Sequence, residues 1–202
     1  MTFSLLRSFA SLLNIYEYHM DEDGNYTVRG ESIGLSATST SFYNSDTGEW
    51  AVGSLIDPDD NSGIDFLSKM AGVTLIDYVD KARTNHEYDF KVTNGTQSVT
   101  EDAKQKPKEY SMRGMPITKT NDGQVVYASA RDVGNIAAGY VAGSNGISWG
   151  LTRLTCDAYQ SLETSRKNKR IILEREGRTT RSAQKVGWLL SKPLLWGPGK
   201  PL

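Results

Sequence analysis

Residues 131–146 read RDVGNIAAGYVAGSNG, and the periodicity of this stretch decides the architecture of the second half of the chain. Val133, Ile136, Ala137, Tyr140 and Val141 recur at i, i+3, i+4, i+7 and i+8, the repeat of a helix with one apolar face. Ser144, Asn145 and Gly146 then break it. Inside the helix, each glycine costs roughly 1 kcal/mol relative to alanine. At 100° per residue, Asp132, Asn135, Gly139 and Gly143 fall within about 80° of one another, with Tyr140 between them and the apolar face. Missing β-carbons are useful where a ligand or another backbone comes close. Two readings follow. The strip borders a groove open to a guest molecule, with Asp132 as base or orienter and Asn135 as a hydrogen-bonding clamp. Or it marks tight helix packing, with Asp132 favouring the helix N-terminus through the dipole.

Downstream, Leu151, Leu154, Thr155, Ala158 and Leu162 share one face of a second helix. Arg153, Cys156 and Gln160, with Trp149 near them, form another usable face. After the basic run RKNKR (166–170), Thr179 or Thr180 is expected to cap a third helix containing Ala183, Val186 and Leu190. The terminal GPGKP is expected to be unstructured.

Upstream, the texture changes. IYEYHM, NYTVRG, LSATSTSFY and EWAVGSLI, all between residues 14 and 56, are short runs rich in β-branched and aromatic residues. They are separated by DEDGN and NSDTGE, which carry turn-forming residues. This predicts three or four antiparallel strands. DPDDNSG (57–63) supplies a helix start. Ile64, Leu67, Met70, Ala71, Tyr78, Val79 and Ala82 then follow at helical spacing that loosens near Gly72. Residues 92–126 are polar with little periodicity, which signals a functional loop, an insertion, or an element the pattern hides. Residues 1–13 read as a short amphipathic helix or a fragment of a preceding region. The expected class is α+β: a β-rich N-terminal part over 1–60, a helical functional domain over 61–192 and a tail over 193–202.

With 38% apolar and 23% charged residues and a mean hydropathy of −0.47, the chain has the profile of a globular protein. The apolar runs FSLLRSFASLL and WLLSKPLLW are interrupted by Arg7, Lys192 and Pro193, so neither is expected to span or stably enter a membrane, and no signal peptide is expected. A single cysteine, Cys156, rules out an intramolecular disulfide. His19 and His86 are the only imidazoles, which leaves a zinc site almost no ligands. A carboxylate-held magnesium stays open. From Arg131 onward there are 12 Lys+Arg against 5 Asp+Glu, a net of +7, whereas residues 1–130 hold 11 and 19, a net of −8. A basic half suits a polyanionic partner, or attraction between the two halves.

HEYDFK (86–91) alternates like a half-buried strand, placing Glu87, Asp89 and Lys91 opposite Tyr88 and Phe90. His86 and Lys91 could serve as base and transition-state cation, or the charges could form a solvated strand face. Cys156 has no histidine partner in the sequence and makes a poor nucleophile.

Taken together, these residues resemble a known family. Tyr88-Asp89-Phe90-Lys91 matches an aromatic-Asp-aromatic-Lys element. Asp132, Gly134 and Asn135 match Asp-x-Gly-Asn, and Gly139-Tyr140 and Gly143 follow at the expected places. A helix carrying Leu154 and Gln160 and a late glycine, Gly187, complete the order. In this order and spacing the chain is similar to the polymorphic toxin type 44 domain of bacteria, often found at the C-terminus of Rhs-repeat proteins. The similarity runs over roughly residues 85–190 and leaves the β-rich region outside, as a candidate linker to a delivery module. EGRTTRSAQKVGW (176–188) departs from the pattern by lacking acidic character.

The resemblance implies an antibacterial weapon exported by a specialised secretion system, delivered into a target cell and neutralised by a cognate immunity protein. A hydrolase attacking RNA without a transition metal or other cofactor is the first expectation. Peptidoglycan hydrolysis is the second, and a non-enzymatic interaction domain the third. The expected catalytic residues are Asp132, Asn135, Lys91 and His86; Gly139, Tyr140, Gly143, Gln160 and Arg131 are expected to bind substrate.

Overall fold

The computed structural model describes residues 13–192 except 24, 45–48, 51–54, 172 and 174. The expected N-terminal helix over 1–13 (all but Leu13), the tail beyond 192, and the side chains of Arg166 and Lys167 in the basic run lie outside the described residues. Strand β1 (Asn14–Met20) pairs antiparallel with β2 (Tyr26–Ser36). In the connecting turn, Asp21 Oδ1 accepts from the amides of Asp23 and Asn25 at 3.0 and 2.8 Å, the local pairing that makes aspartate a turn residue. Strands β3 (Tyr43–Asn44) and β4 (Glu49–Trp50) form a separate two-stranded hairpin.

The four strands between residues 14 and 56 thus form two antiparallel pairs, as expected, but the sheet also takes in strands from further along the chain. Strand β2 runs parallel to β6 (Val125–Ser129) through Leu35↔Val126 and Ser36↔Tyr127, and β6 runs antiparallel to β5 (Gly114–Lys119). The sheet order is β1-β2-β6-β5. Strands from both sides of residue 60 therefore share one sheet. Strand β5 lies in the stretch without periodicity because Gly114, Met115, Pro116 and Ile117 are all buried, and a strand covered on both faces does not alternate.

The helices follow the sequence more closely. Asp60 Oδ1 accepts from the Ser62 amide at 2.9 Å at the start of α1 (Ser62–Lys69). The loosened spacing near Gly72 is a break: Gly72 adopts φ +81°, and the Thr74 hydroxyl caps α2 (Leu75–Lys81). HEYDFK is not a strand. The chain turns through Asn85 (φ +65°), whose amide donates to Asp89 Oδ2 at 2.9 Å. A single short helix, α3 (Phe90–Thr93), then begins. The aspartate competes for backbone amides and wins over the strand pattern. Two more short helices, α4 (Glu101–Gln105) and α5 (Pro107–Met112), precede β5.

The opening stretch forms α6 (Ala130–Ser144), with Ser129 as its N-cap. Val133, Ile136, Ala137 and Val141 are fully buried against Phe66, Phe90 and Met115. The chain continues into α7 (Trp149–Asn168) and α8 (Arg178–Leu190). Helix α8 starts from Gly177, not from a threonine cap; its Ala183 and Leu190 are buried as expected. The leucine face of α7 is not core: Leu151, Leu154 and Leu162 are 50%, 66% and 57% exposed.

The glycine strip of α6 is filled. A β-carbon on Gly139 would collide with the Gln184 carbonyl, one on Gly143 with the Ser191 hydroxyl, and one on Gly187 with the Ile136 carbonyl. Glycines on both helices thus bring α6 and α8 into backbone contact. We expect Gly139→Ala and Gly187→Ala each to lower the unfolding free energy by on the order of 3 kcal/mol. Gly150→Ala, where an added methyl meets nothing within 4 Å, should hold or raise it. Chemical denaturation of the three variants checks this; equal effects at all three sites would contradict it.

Candidate functional site

The face of α6 turned away from the core and from α8 carries Arg131, Gly134, Asn135 and Ala138, spaced i, i+3, i+4 and i+7. It forms the floor of a cleft of about 760 Å³. Leu75, Tyr78 and Val79 of α2 make one wall. Thr152, Cys156 and Gln160 of α7 make another, and residues 175–177 close one end. At the remaining side, Asp89 and Lys91 enter from the turn that opens α3.

Local contacts hold these groups in place. Asp89 is nearly buried; its Oδ1 lies 3.3 Å from Lys91 Nζ while its Oδ2 holds the Asn85 amide. Arg113 locks the backbone around them: its guanidinium donates to Asn94 Oδ1 at 2.7 Å and to the Lys91 carbonyl at 3.3 Å, and lies over the Phe90 ring. Burial lowers its pKa from the ordinary arginine value, but from so high a start it stays charged. The Tyr78 hydroxyl donates to the Gly134 carbonyl at 3.0 Å, tying α2 to α6, and burial raises its pKa so that it keeps its proton. Across the cleft, Arg153 donates to Glu176 Oε2 at 2.8 Å, to Asp157 and to Gln184. Asp157 also accepts from the Glu176 amide at 3.0 Å, which fixes the segment entering α8.

The nine expected site residues divide sharply. Lys91, Arg131, Asn135 and Gln160, which come from three separate parts of the sequence, converge on the cleft. Gly139 and Gly143 face α8, so the expectation that they border a substrate groove is corrected. Tyr140 packs at the edge of the core, outside the cleft lining. His86 is exposed in the turn and is not among the cleft residues.

Asp132 is completely buried. Its carboxylate accepts from Ser41 Oγ at 2.9 Å and from Arg131 Nε at 3.3 Å, and its amide donates to the Ser129 cap. With no exposed surface it cannot touch a substrate in this conformation. It joins α6 to the loop after β2 and holds Arg131, which also donates to the Thr40 carbonyl at 3.4 Å. Burial pushes its pKa up to about 6, against the opposing pull of Arg131 and Ser41.

Burial also pushes the Cys156 thiol up to about 12, so a thiolate nucleophile is not formed at neutral pH. Asp89, Glu176 and Gln184 belong to the cleft without being among the nine residues expected from the sequence. The i,i+4 pair Arg153–Asp157 was a visible signal for the network on α7; Asp89 was visible inside the Tyr88–Lys91 element.

No protein-family profile, curated protein or solved structure matches the chain.

Asp132 also yields a pH signature. In the folded chain its carboxyl ionises near 6, above the ordinary 3.8, so between those values the folded state holds a proton the unfolded state has lost. Its stabilising contribution is complete below about pH 4 and lost as pH rises through about 6, by on the order of 3 kcal/mol. The unfolding free energy of wild type minus that of Asp132→Asn, followed by urea titration, should fall by that order from pH 4 to pH 7. A difference independent of pH would contradict the assignment.

Proposed function

We propose that the chain is a toxin of the polymorphic type that hydrolyses RNA in this cleft without a transition metal. The observation that carries the reading is the convergence of Asp89 and Lys91 with Arg131, Asn135 and Gln160 around one opening. A carboxylate, two kinds of cation and two amides are the groups that phosphodiester cleavage asks for. In the proposed reaction Asp89 takes the proton of a ribose 2′-hydroxyl, whose oxygen attacks the adjacent phosphorus. The bond from phosphorus to the 5′-oxygen breaks, and that oxygen leaves with a proton from the Lys91 ammonium. The neutral Lys91 amine then recovers a proton from the Asp89 carboxyl beside it. The products are a 2′,3′-cyclic phosphate and a 5′-hydroxyl. Arg131 stabilises the charge that builds on the phosphoryl oxygens, and Asn135 and Gln160 orient the strand. Asp132 acts through Arg131, as a positioning residue. Delivery into a target bacterium by a specialised secretion system, and neutralisation by an immunity protein, belong to the same proposal.

One observation favours a second reading: Asp89 and Glu176 both line the cleft, and two carboxylates around one opening suit glycan hydrolysis in peptidoglycan. Glu176 is engaged by Arg153, which places this reading second.

Purified protein should degrade RNA in the presence of EDTA. Asp89→Asn should slow the reaction about 100-fold or more, and Lys91→Ala by a similar order, while His86→Ala keeps the wild-type rate. Intact RNA at high protein concentration, with killing only when the chain is directed to the periplasm, would replace the first reading by the second. Survival in both compartments would remove the toxin reading itself.

A further inference from the structure

From Gly177 to Lys192 the chain contains three cations besides Lys192 itself, and no acidic residue. Arg178, Arg181, Lys185 and Trp188 fall within about 80° around α8 and run about 15 Å along it. This is the face opposite the glycine contact. Among the described residues no carboxylate pairs with Arg178, Arg181 or Lys185. Like charges at this spacing destabilise an isolated helix, so an ordinary solvated face would be expected to interleave them with acids.

Two indoles sit within the stripe. Lys185 Nζ lies 4.7 Å from the Trp149 ring centroid and 4.6 Å from that of Trp188, and Lys192 Nζ lies 4.3 Å from the latter. The two rings are 6.3 Å apart. Trp188 is held in orientation by its Nε1–H donating to the Ile147 carbonyl at 2.8 Å. Fixed aromatic faces among unpaired cations are the elements of single-strand recognition: bases stack, phosphates are neutralised, and no sequence is read. The stripe starts beside the cleft, since Glu176, Gly177 and Thr180 line it. An anionic membrane would also attract the cations. Insertion, however, needs protruding apolar side chains, and among the described residues of α8 none is a large exposed hydrophobic.

We propose that Arg178, Arg181 and Lys185, with Trp149 and Trp188, form a docking track for single-stranded RNA leading away from the cleft. The proposal rests on the RNA reading of the cleft and deepens it. The track holds the strand outside the scissile nucleotides and gives affinity that the cleft alone does not supply.

The test uses a fluorescent 2′-O-methyl oligouridylate of about twelve nucleotides, which lacks the nucleophile and cannot be cut. Its binding, read by anisotropy, should weaken at least tenfold in R181E/K185E and less in R181Q/K185Q. The dependence of log affinity on log salt should become shallower by about 0.7 for each phosphate that the variant no longer neutralises. Circular dichroism of both variants checks that they fold. Cleavage of a dinucleotide, which occupies the cleft alone, should be unchanged in R181E/K185E. It should fall about 100-fold or more in Asp89→Asn, which still binds the oligonucleotide. Tight binding that ignores the charge reversal overturns the track, as does wild-type binding to phosphatidylglycerol vesicles but not to the oligonucleotide. If the oligonucleotide binds through the stripe but no RNA is cut, the track stands and the proposed catalytic function falls.

Discussion

The backbone contact between α6 and α8 is the constraint on which the remaining arrangement depends. Gly139 and Gly143 on one helix and Gly187 on the other remove the side chains that would hold the axes apart. Ordinary side chains at a contact keep helix axes about 8–10 Å apart; here carbonyls and α-carbons touch. Once α8 occupies that side of α6, the core takes a second side through Val133, Ile136, Ala137 and Val141. Only the face of Arg131, Asn135 and Ala138 is left to border solvent, and the cleft lies there. The site is thus a consequence of how the other two faces are used.

Asp132 joins this frame to the sheet. A carboxylate with no solvent exposure is costly unless it is hydrogen-bonded, and Ser41 and Arg131 donate to this one. Ser41 and Thr40 follow β2, whereas Arg131 and Asp132 follow β6. The parallel pairing of β2 with β6 is what delivers the two loops to the same place. The N-terminal strands therefore help to position a cleft residue, Arg131, although they are remote from it in sequence.

Much of the helical half was legible because its signals are local. The apolar repeat of α6, the break at Gly146 and the buried face of α8 follow from spacing alone. What failed depended on tertiary contacts. The glycine strip was compatible with a groove or with a packed helix, and nothing in residues 131–146 says that Gly187, more than forty residues on, will arrive opposite. HEYDFK alternates like a strand because Tyr88 and Phe90 are buried, but Asp89 accepts from Asn85 and converts the run into a turn. Strand β5 was hidden because both its faces are covered. Within the site, the chemistry of Lys91, Asn135, Arg131 and Gln160 marks them as candidates, and they line the cleft together. The same chemistry marks His86 and Asp132, but exposure in one case and complete burial in the other place them outside it.

The leucines of α7 bear on the mechanics of the cleft. A helix whose apolar stripe is buried takes most of its positional stability from that burial, yet Leu151, Leu154 and Leu162 remain largely exposed. What fixes α7 against the body includes buried Thr152, the Trp149–Trp188 ring contact, and the guanidinium of Arg153 shared among Asp157, Glu176 and Gln184. These attachments lie in the first half of the helix, up to Asp157, whereas Gln160 and Leu162 line the cleft beyond it. Segments with little buried apolar contact open at low free-energy cost. The α7 wall, with its leucines largely exposed, is therefore less deeply packed than the floor on α6, whose apolar face is buried in the core, and than the Asp89–Lys91 turn, locked by Arg113.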